Sequence, residues 1–191
     1  AGIVQGVARI EQLTDRSGLR SMRLAFPPGF GAGLAIGASV AVDGVCLTVT
    51  ALHGNAAADF DVMQQSLALT TLGGLTIGSR VNVERAAKDG AEIGGHPLSG
   101  HVDFTARVAD IRRPENNCVL RLAVPAPWMR YVFAKGYVAV NGASVLFTLS
   151  NVSPVGAASV TSPSITGDPV PCAASCINPV AQPGGAMSCI K

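Results

Sequence analysis

The 191 residues are 48% hydrophobic and 14% charged, with a formal net charge of +2. That balance supports a packed core but is too weakly basic to point to nucleic acid, and no apolar run reaches the roughly 18 residues that a membrane helix needs. The five cysteines are odd in number and unevenly placed and no secretory signal opens the chain, so the expectation is a cytoplasmic protein with reduced thiols rather than a disulfide framework.

Most of residues 1–150 reads as short strands. Ser39-Val40-Ala41-Val42 and Cys46-Leu47-Thr48-Val49-Thr50 are rich in β-branched residues and flank the turn signal Asp43-Gly44. Asp59-Phe60-Asp61-Val62-Met63 and Arg80-Val81-Asn82-Val83-Glu84 alternate polar and apolar, as half-buried strands should. Turn signals arrive about every ten residues, which favours barrels or sandwiches over βαβ units. Short helices are expected at Gln64–Leu67 and around Pro127–Val132.

At a separation of 98 residues the chain matches itself twice without a gap. Gly2–Ile10 lines up with Gly100–Val108, and Ser39–Cys46 with Tyr137–Ser144. A period of this length suits a duplicated small domain, and two copies imply two similar binding sites. The domains expected are 1–88, a second copy beginning at 89, and an atypical tail at 151–191. In that tail only Asp168 and Lys191 are charged, and Ser, Pro, Ala and Gly dominate. Ala158–Thr161 does not resemble Phe60–Met63, and Pro179–Pro183 cannot make an interior strand. The tail therefore reads as disordered linker composition or as the product of a shifted reading frame, the second being favoured. Cys172 and Cys176 have a spacing seen in metal sites, but with no second pair and no downstream His no metal is expected.

The candidate chemistry centres on Cys46, His96 and His101. A lone Cys in an alternating strand is most often a core residue. Two of the three histidines, however, sit between glycines in Gly94-Gly95-His96-Pro97-Leu98-Ser99-Gly100-His101, where the backbone can approach a ligand and imidazoles can exchange protons near neutral pH. Gln64, Gln65 and Ser66 offer the donors and acceptors that the edge of a heterocycle requires. Phosphate loops and serine-hydrolase elbows are absent.

These residues resemble the riboflavin synthase family, whose members also include non-catalytic lumazine proteins. The likeness rests on Gly2-Ile3-Val4-Gln5-Gly6, Asp43-Gly44-Val45-Cys46-Leu47-Thr48, Asn82-Val83-Glu84-Arg85-Ala86, Gly94-Gly95-His96, Ser99-Gly100-His101-Val102, Lys135-Gly136 and Asn141-Gly142-Ala143-Ser144. It implies an all-β fold of two antiparallel six-stranded barrels in tandem, the second incomplete here, and a homotrimer with active sites between subunits. It implies dismutation of two 6,7-dimethyl-8-ribityllumazine molecules to riboflavin and 5-amino-6-ribitylaminouracil, with no cofactor. His101, Cys46 and Ser39 would be the catalytic residues. First-barrel contacts would be Gly2, Ile3, Val4, Cys46, Leu47, Thr48, Asp61, Val62, Met63, Gln64, Gln65, Ser66, Gly100, His101 and Val102, with His96 also on the substrate. Second-barrel contacts would be Lys135, Asn141 and Ser144. Retention of Cys46, His96 and His101 favours an enzyme over a lumazine carrier, since the carriers resemble the enzyme in fold but lack these three.

Overall fold

The computed structural model describes residues 1–92, 94–113, 118–148, 157–162 and 186–190. Six antiparallel strands close the first barrel: β1 (Gly6–Arg16), β2 (Leu19–Ala25), β3 (Ser39–Val42), β4 (Val45–His53), β5 (Ala57–Met63) and β6 (Arg80–Arg85). Their order around the barrel is β1-β2-β5-β4-β3-β6. Alternation decides which face is inside. In β4, Val45, Leu47 and Val49 are buried while Cys46, Thr48 and Thr50 face out. Phe60, Ile10, Met22 and Leu24 fill the interior with them. Between β5 and β6 lie a short helix α1 (Gln64–Leu69) and a 3-10 turn (Thr71–Gly74), whose Leu72 plugs one end of the core.

The second barrel repeats this plan with β7 (Phe104–Arg112), β8 (Cys118–Ala123), β9 (Tyr137–Val140), β10 (Ala143–Thr148), β11 (Ala157–Ser162) and β12 (Ala186–Ile190), plus helix α2 (Ala126–Met129). The described strands close here too, in the order β10-β11-β8-β7-β12-β9. The copies agree in detail. Arg9 pairs with Ala25 and Arg107 with Ala123, and the register shift in β1 before Gln12 recurs in β7 before Asp110.

Two strands of this barrel come from the low-charge tail. Val49 pairs with Phe60 in the first barrel, and Phe147 pairs with Val160 in the second, so β11 stands where β5 stands. Val42 pairs with Val83, and Val140 with Cys189, so Cys189 takes the place of Val83 and Ile190 that of Glu84. Met187, Cys189 and Ile190 are buried. The sixth strand is thus supplied beyond the point where the repeat offset would put it, because closure needs only a short run of small and apolar residues. Pro179–Pro183, Cys172 and Cys176 lie outside the described residues.

The barrels meet at two matching hairpin turns. Asp43-Gly44 and Asn141-Gly142 have φ values of 46°, 83°, 45° and 84°, the left-handed pairs that a tight two-residue hairpin demands. The turns abut so closely that a Cβ on Gly44 would lie 2.8 Å from the Gly142 nitrogen. Beneath them, Asp43 accepts a hydrogen bond from the Asn82 N–H at 2.8 Å, and the Asn82 amide donates to the Asn141 carbonyl at 2.9 Å. Asp43 is only 1% exposed, and its second carboxyl oxygen has no partner among the described residues.

Burial pushes the Asp43 carboxyl up to about 7, against which the Asn82 N–H works only weakly. Its folded pKa lies above the unfolded value, so the native state holds a proton that the unfolded chain has already lost. Stability should fall as pH rises from the ordinary carboxylate range through neutrality. Asn141 shows that an asparagine fits this geometry. Asp43→Asn is therefore expected to gain on the parent by about 2 kcal/mol more at pH 8 than at pH 5 in urea unfolding. An equal difference at both pH values would mean that the buried carboxyl is not neutral.

Candidate functional site

Each barrel carries an outward patch on its third and fourth strands, edged by an arm from the other barrel. On the first, the pairs Ser39–Thr48 and Ala41–Cys46 bring Ser39, Cys46 and Thr48 together on the outer face. Cys46 is exposed, not a core residue, because the alternation of β4 gives the interior to Val45 and Leu47. The segment leading into β7 crosses this patch. Gly100 accepts a hydrogen bond from the Cys46 N–H at 2.9 Å. With φ at +74° and a would-be Cβ 2.6 Å from the Cys46 Cβ, only glycine fits there. His101 follows Gly100 in the arm, exposed, and its N–H reaches Ser99 Oγ at 3.2 Å. Ser39, Cys46, Glu84, Leu98, Ser99 and Gly100 help to line a cleft of about 180 Å³.

Next to β4, the outer face of β5 presents Asp61 and Met63, and α1 opens with Gln64, Gln65 and Ser66. Asp61 accepts a hydrogen bond from Ser21 at 2.6 Å. Asp59 is gripped by Arg23, which, with help from His53, holds its carboxyl below the usual carboxylate range. Thr70 ends α1 by donating to the Ser66 carbonyl at 2.6 Å.

The second patch is the same construction with different side chains. Tyr137 stands in register where Ser39 stands, and Ser144 where Cys46 stands. Here the crossing arm is the N-terminal segment. Gly2 accepts from the Ser144 N–H at 2.8 Å, and a Cβ on Gly2 would overlap that of Ser144. His96 lies 2.8 Å from Ser144 Oγ through Nδ1, and its ring stacks on Tyr137 at 4.1 Å and 11°. Val4 is buried in the second barrel's core, while Val102 packs against the first.

The structure thus gathers Ser39, Cys46, Thr48, Gly100 and His101 on one barrel, and Gly2, His96 and Ser144 on the other. Gly2 and Val4, expected on the first barrel, lie on the second because the two arms cross. Leu47 and Val62 point into the core. Asn141 is buried at the seam between the barrels, with its carbonyl taken by Asn82. Lys135 is exposed in the turn before β9, at a φ of 61°. Ile3 is 47% exposed at the rim of another groove, of about 510 Å³, shared with Glu84. Tyr137 and Glu84 were not foreseen as site residues, although the repeat aligns Tyr137 with Ser39 and the motif containing Glu84 stood out. Burial pushes the Cys189 thiol up to about 12, which leaves it inert at neutral pH. Among the described residues, no group of three or more His, Cys, Asp or Glu could hold a metal ion.

Residues 1–86 and 99–162 match the lumazine binding domain. The chain is 43% identical to riboflavin synthase of Escherichia coli (strain K12) over 154 residues, 80% of this chain and 71% of that protein. It is 37% identical to riboflavin synthase of Buchnera aphidicola subsp. Schizaphis graminum (strain Sg) over 79% of this chain and 72% of that one. The crystal structure of LumP complexed with 6,7-dimethyl-8-(1'-D-ribityl) lumazine shares the fold, with a TM-score of 0.82 at 21% identity over 98% of this chain and 96% of that one. LumP complexed with riboflavin superimposes equally well, with a TM-score of 0.82. A twice-built patch, two domain matches at the places of the repeat and identity of this extent agree: the chain belongs to the riboflavin synthase family of lumazine-binding domain proteins.

Proposed function

We propose that this chain is a riboflavin synthase: it takes two molecules of 6,7-dimethyl-8-ribityllumazine, moves a four-carbon unit from one to the other, and releases riboflavin and 5-amino-6-ribitylaminouracil. The observation that carries the reading is the patch built twice, each copy edged by a glycine arm. A reaction between two copies of one substrate calls for two copies of one site. The exchange begins when a C7 methyl of one lumazine gives up a proton. His101, exposed and one residue beyond the Gly100 that bonds Cys46, is the group we assign to that proton traffic, and Thr48, Asp61, Met63 and the head of α1 face the same ligand. Ser144, His96 and Lys135 serve the second lumazine. Much of the acceleration comes from holding two planar molecules in register, so no strong base is required.

The same reading places the protein in the cytoplasm as a homotrimer, the first barrel of one subunit facing the second barrel of its neighbour. Among the described residues, no helix is long and apolar enough to cross a membrane. Met63, 69% exposed beside the first patch, supplies apolar surface for a neighbouring subunit. Sedimentation at micromolar concentration should give three chains per particle.

Incubation with the lumazine should produce riboflavin absorbance, whereas binding without turnover would identify a lumazine carrier instead. His101→Gln should lower turnover by about 100-fold while lumazine affinity changes little; equal losses in both would reduce His101 to a binding group. One lumazine should titrate tightly and a second weakly, because Ser39 and Cys46 are replaced by Tyr137 and Ser144; two equal sites would contradict that assignment. A thiol reagent at neutral pH should modify Cys46 and spare Cys189, and bound lumazine should slow the reaction at Cys46. Unslowed labelling at saturating ligand would move the first site elsewhere.

A further inference from the structure

Glu84 belongs to the first barrel, yet its contacts lead to the second site. Its carboxylate is buried at the foot of the N-terminal arm, where Oε2 accepts the Gly2 N–H at 3.0 Å. The Gly2 carbonyl accepts the Ser144 N–H at 2.8 Å, and Ser144 Oγ lies 2.8 Å from His96 Nδ1. The Ala1 carbonyl, one residue back on the same arm, accepts the His96 N–H at 3.0 Å. From the β6 carboxylate, hydrogen bonds therefore run without a break through the arm to both polar groups of the second patch. Glu84 also lines the cleft beside Ser39 and Cys46.

The mirror position behaves differently. Ile190 occupies in β12 the place of Glu84 in β6, so the strand offers no carboxylate at the position facing Gly100, the counterpart of Gly2. One arm is fixed by a charged acceptor, whereas the other has bonds between backbone groups, from the Cys46 N–H to Gly100 and from the Asp103 N–H to Cys189, and one local to the arm. A buried carboxylate that accepts backbone N–H groups forms a charge-assisted hydrogen bond, stronger than the neutral bonds along the rest of the path.

We infer that Glu84 is a positioning residue for the second site: by pinning the 1–4 arm it sets the placement of Ser144 and His96 against the second substrate. The inference rests on the lumazine reading for its consequence in turnover, but its structural part can be tested without any ligand. In Glu84→Ala, hydrogen exchange at the Ser144 amide should accelerate by at least about tenfold, while the Cys46 amide, held by the other arm, keeps its protection. Unchanged protection at Ser144, or equal loss at Cys46, overturns the proposal whatever the activity.

In turnover, Glu84→Ala should cost roughly tenfold or more with little change in the affinity of the tighter lumazine. Its effect should not add to that of Ser144→Ala, because both act through one group; additive losses would refute it. Glu84→Gln keeps an acceptor for the Gly2 N–H and should restore most of the turnover, whereas Glu84→Asp, charged but too short, should behave like alanine. If alanine prevents folding, that pair decides: a damaging glutamine with a harmless aspartate would show that charge matters and arm placement does not. Conversion absent from the unmodified chain would refute the functional reading while leaving the exchange result at Ser144 to judge the arm.

Discussion

Two short arms, each leading into one barrel and docking on the other, govern the arrangement of this molecule. Gly2 docks on Ser144 and Gly100 on Cys46 through the same backbone hydrogen bond, 2.8 and 2.9 Å long. After the glycines, Val4 enters the second barrel's core and Val102, partly buried, packs against the first barrel's core. Neither patch is complete without the arm that belongs to its partner, so the two sites share a structure rather than merely a chain. Burial of a valine on each side adds apolar stabilisation, at about 25 cal/mol per Å² of surface removed from water.

The remaining contacts at the interface serve that exchange. The paired turns at Gly44 and Gly142 bring the third and fourth strands of both barrels close to the pseudo-twofold axis, within reach of a four-residue arm. Asp43 and Asn82 are buried under those turns, and the neutral carboxyl that burial favours avoids an unpaired charge there. Glu84 is different. Its Oε2 accepts the Gly2 N–H and its Oε1 the Ala1 ammonium, so that both oxygens are satisfied, as a buried carboxylate requires.

Much of the fold could be read from local pattern. Asp43-Gly44 and Asn141-Gly142 announced their hairpins because the turn needs left-handed residues there, and the alternation in β4 marked Leu47 as inward. The repeat located the second patch at Ser144. Other features were hidden for physical reasons. Strand alternation says which face a residue takes but not which barrel an arm joins, so Gly2 and Val4 were placed on the wrong barrel. Cys46 has the outward phase of its strand, yet the general tendency of cysteine to be buried obscured it. The tail withheld β12 because closing a barrel takes only five residues of suitable size, and Ala186–Ile190 has neither charge nor β-branched enrichment to mark it. Tyr137 became visible as a site residue only through its stack on His96, a contact between segments 41 positions apart in sequence.

The seam of paired hairpin turns has one more consequence, for how the two halves could diverge. Apart from the Asn82 amide that reaches Asn141, it is built from backbone: two turns with φ values within a degree of each other, touching through glycines. Such a joint makes almost no demand on side chains elsewhere. After duplication, Ser39 and Cys46 in one copy could coexist with Tyr137 and Ser144 in the other while both stayed aligned about the same axis. The joint leaves chemistry free to specialise on each side, and a molecule assembled from equals can treat its two bound partners unequally.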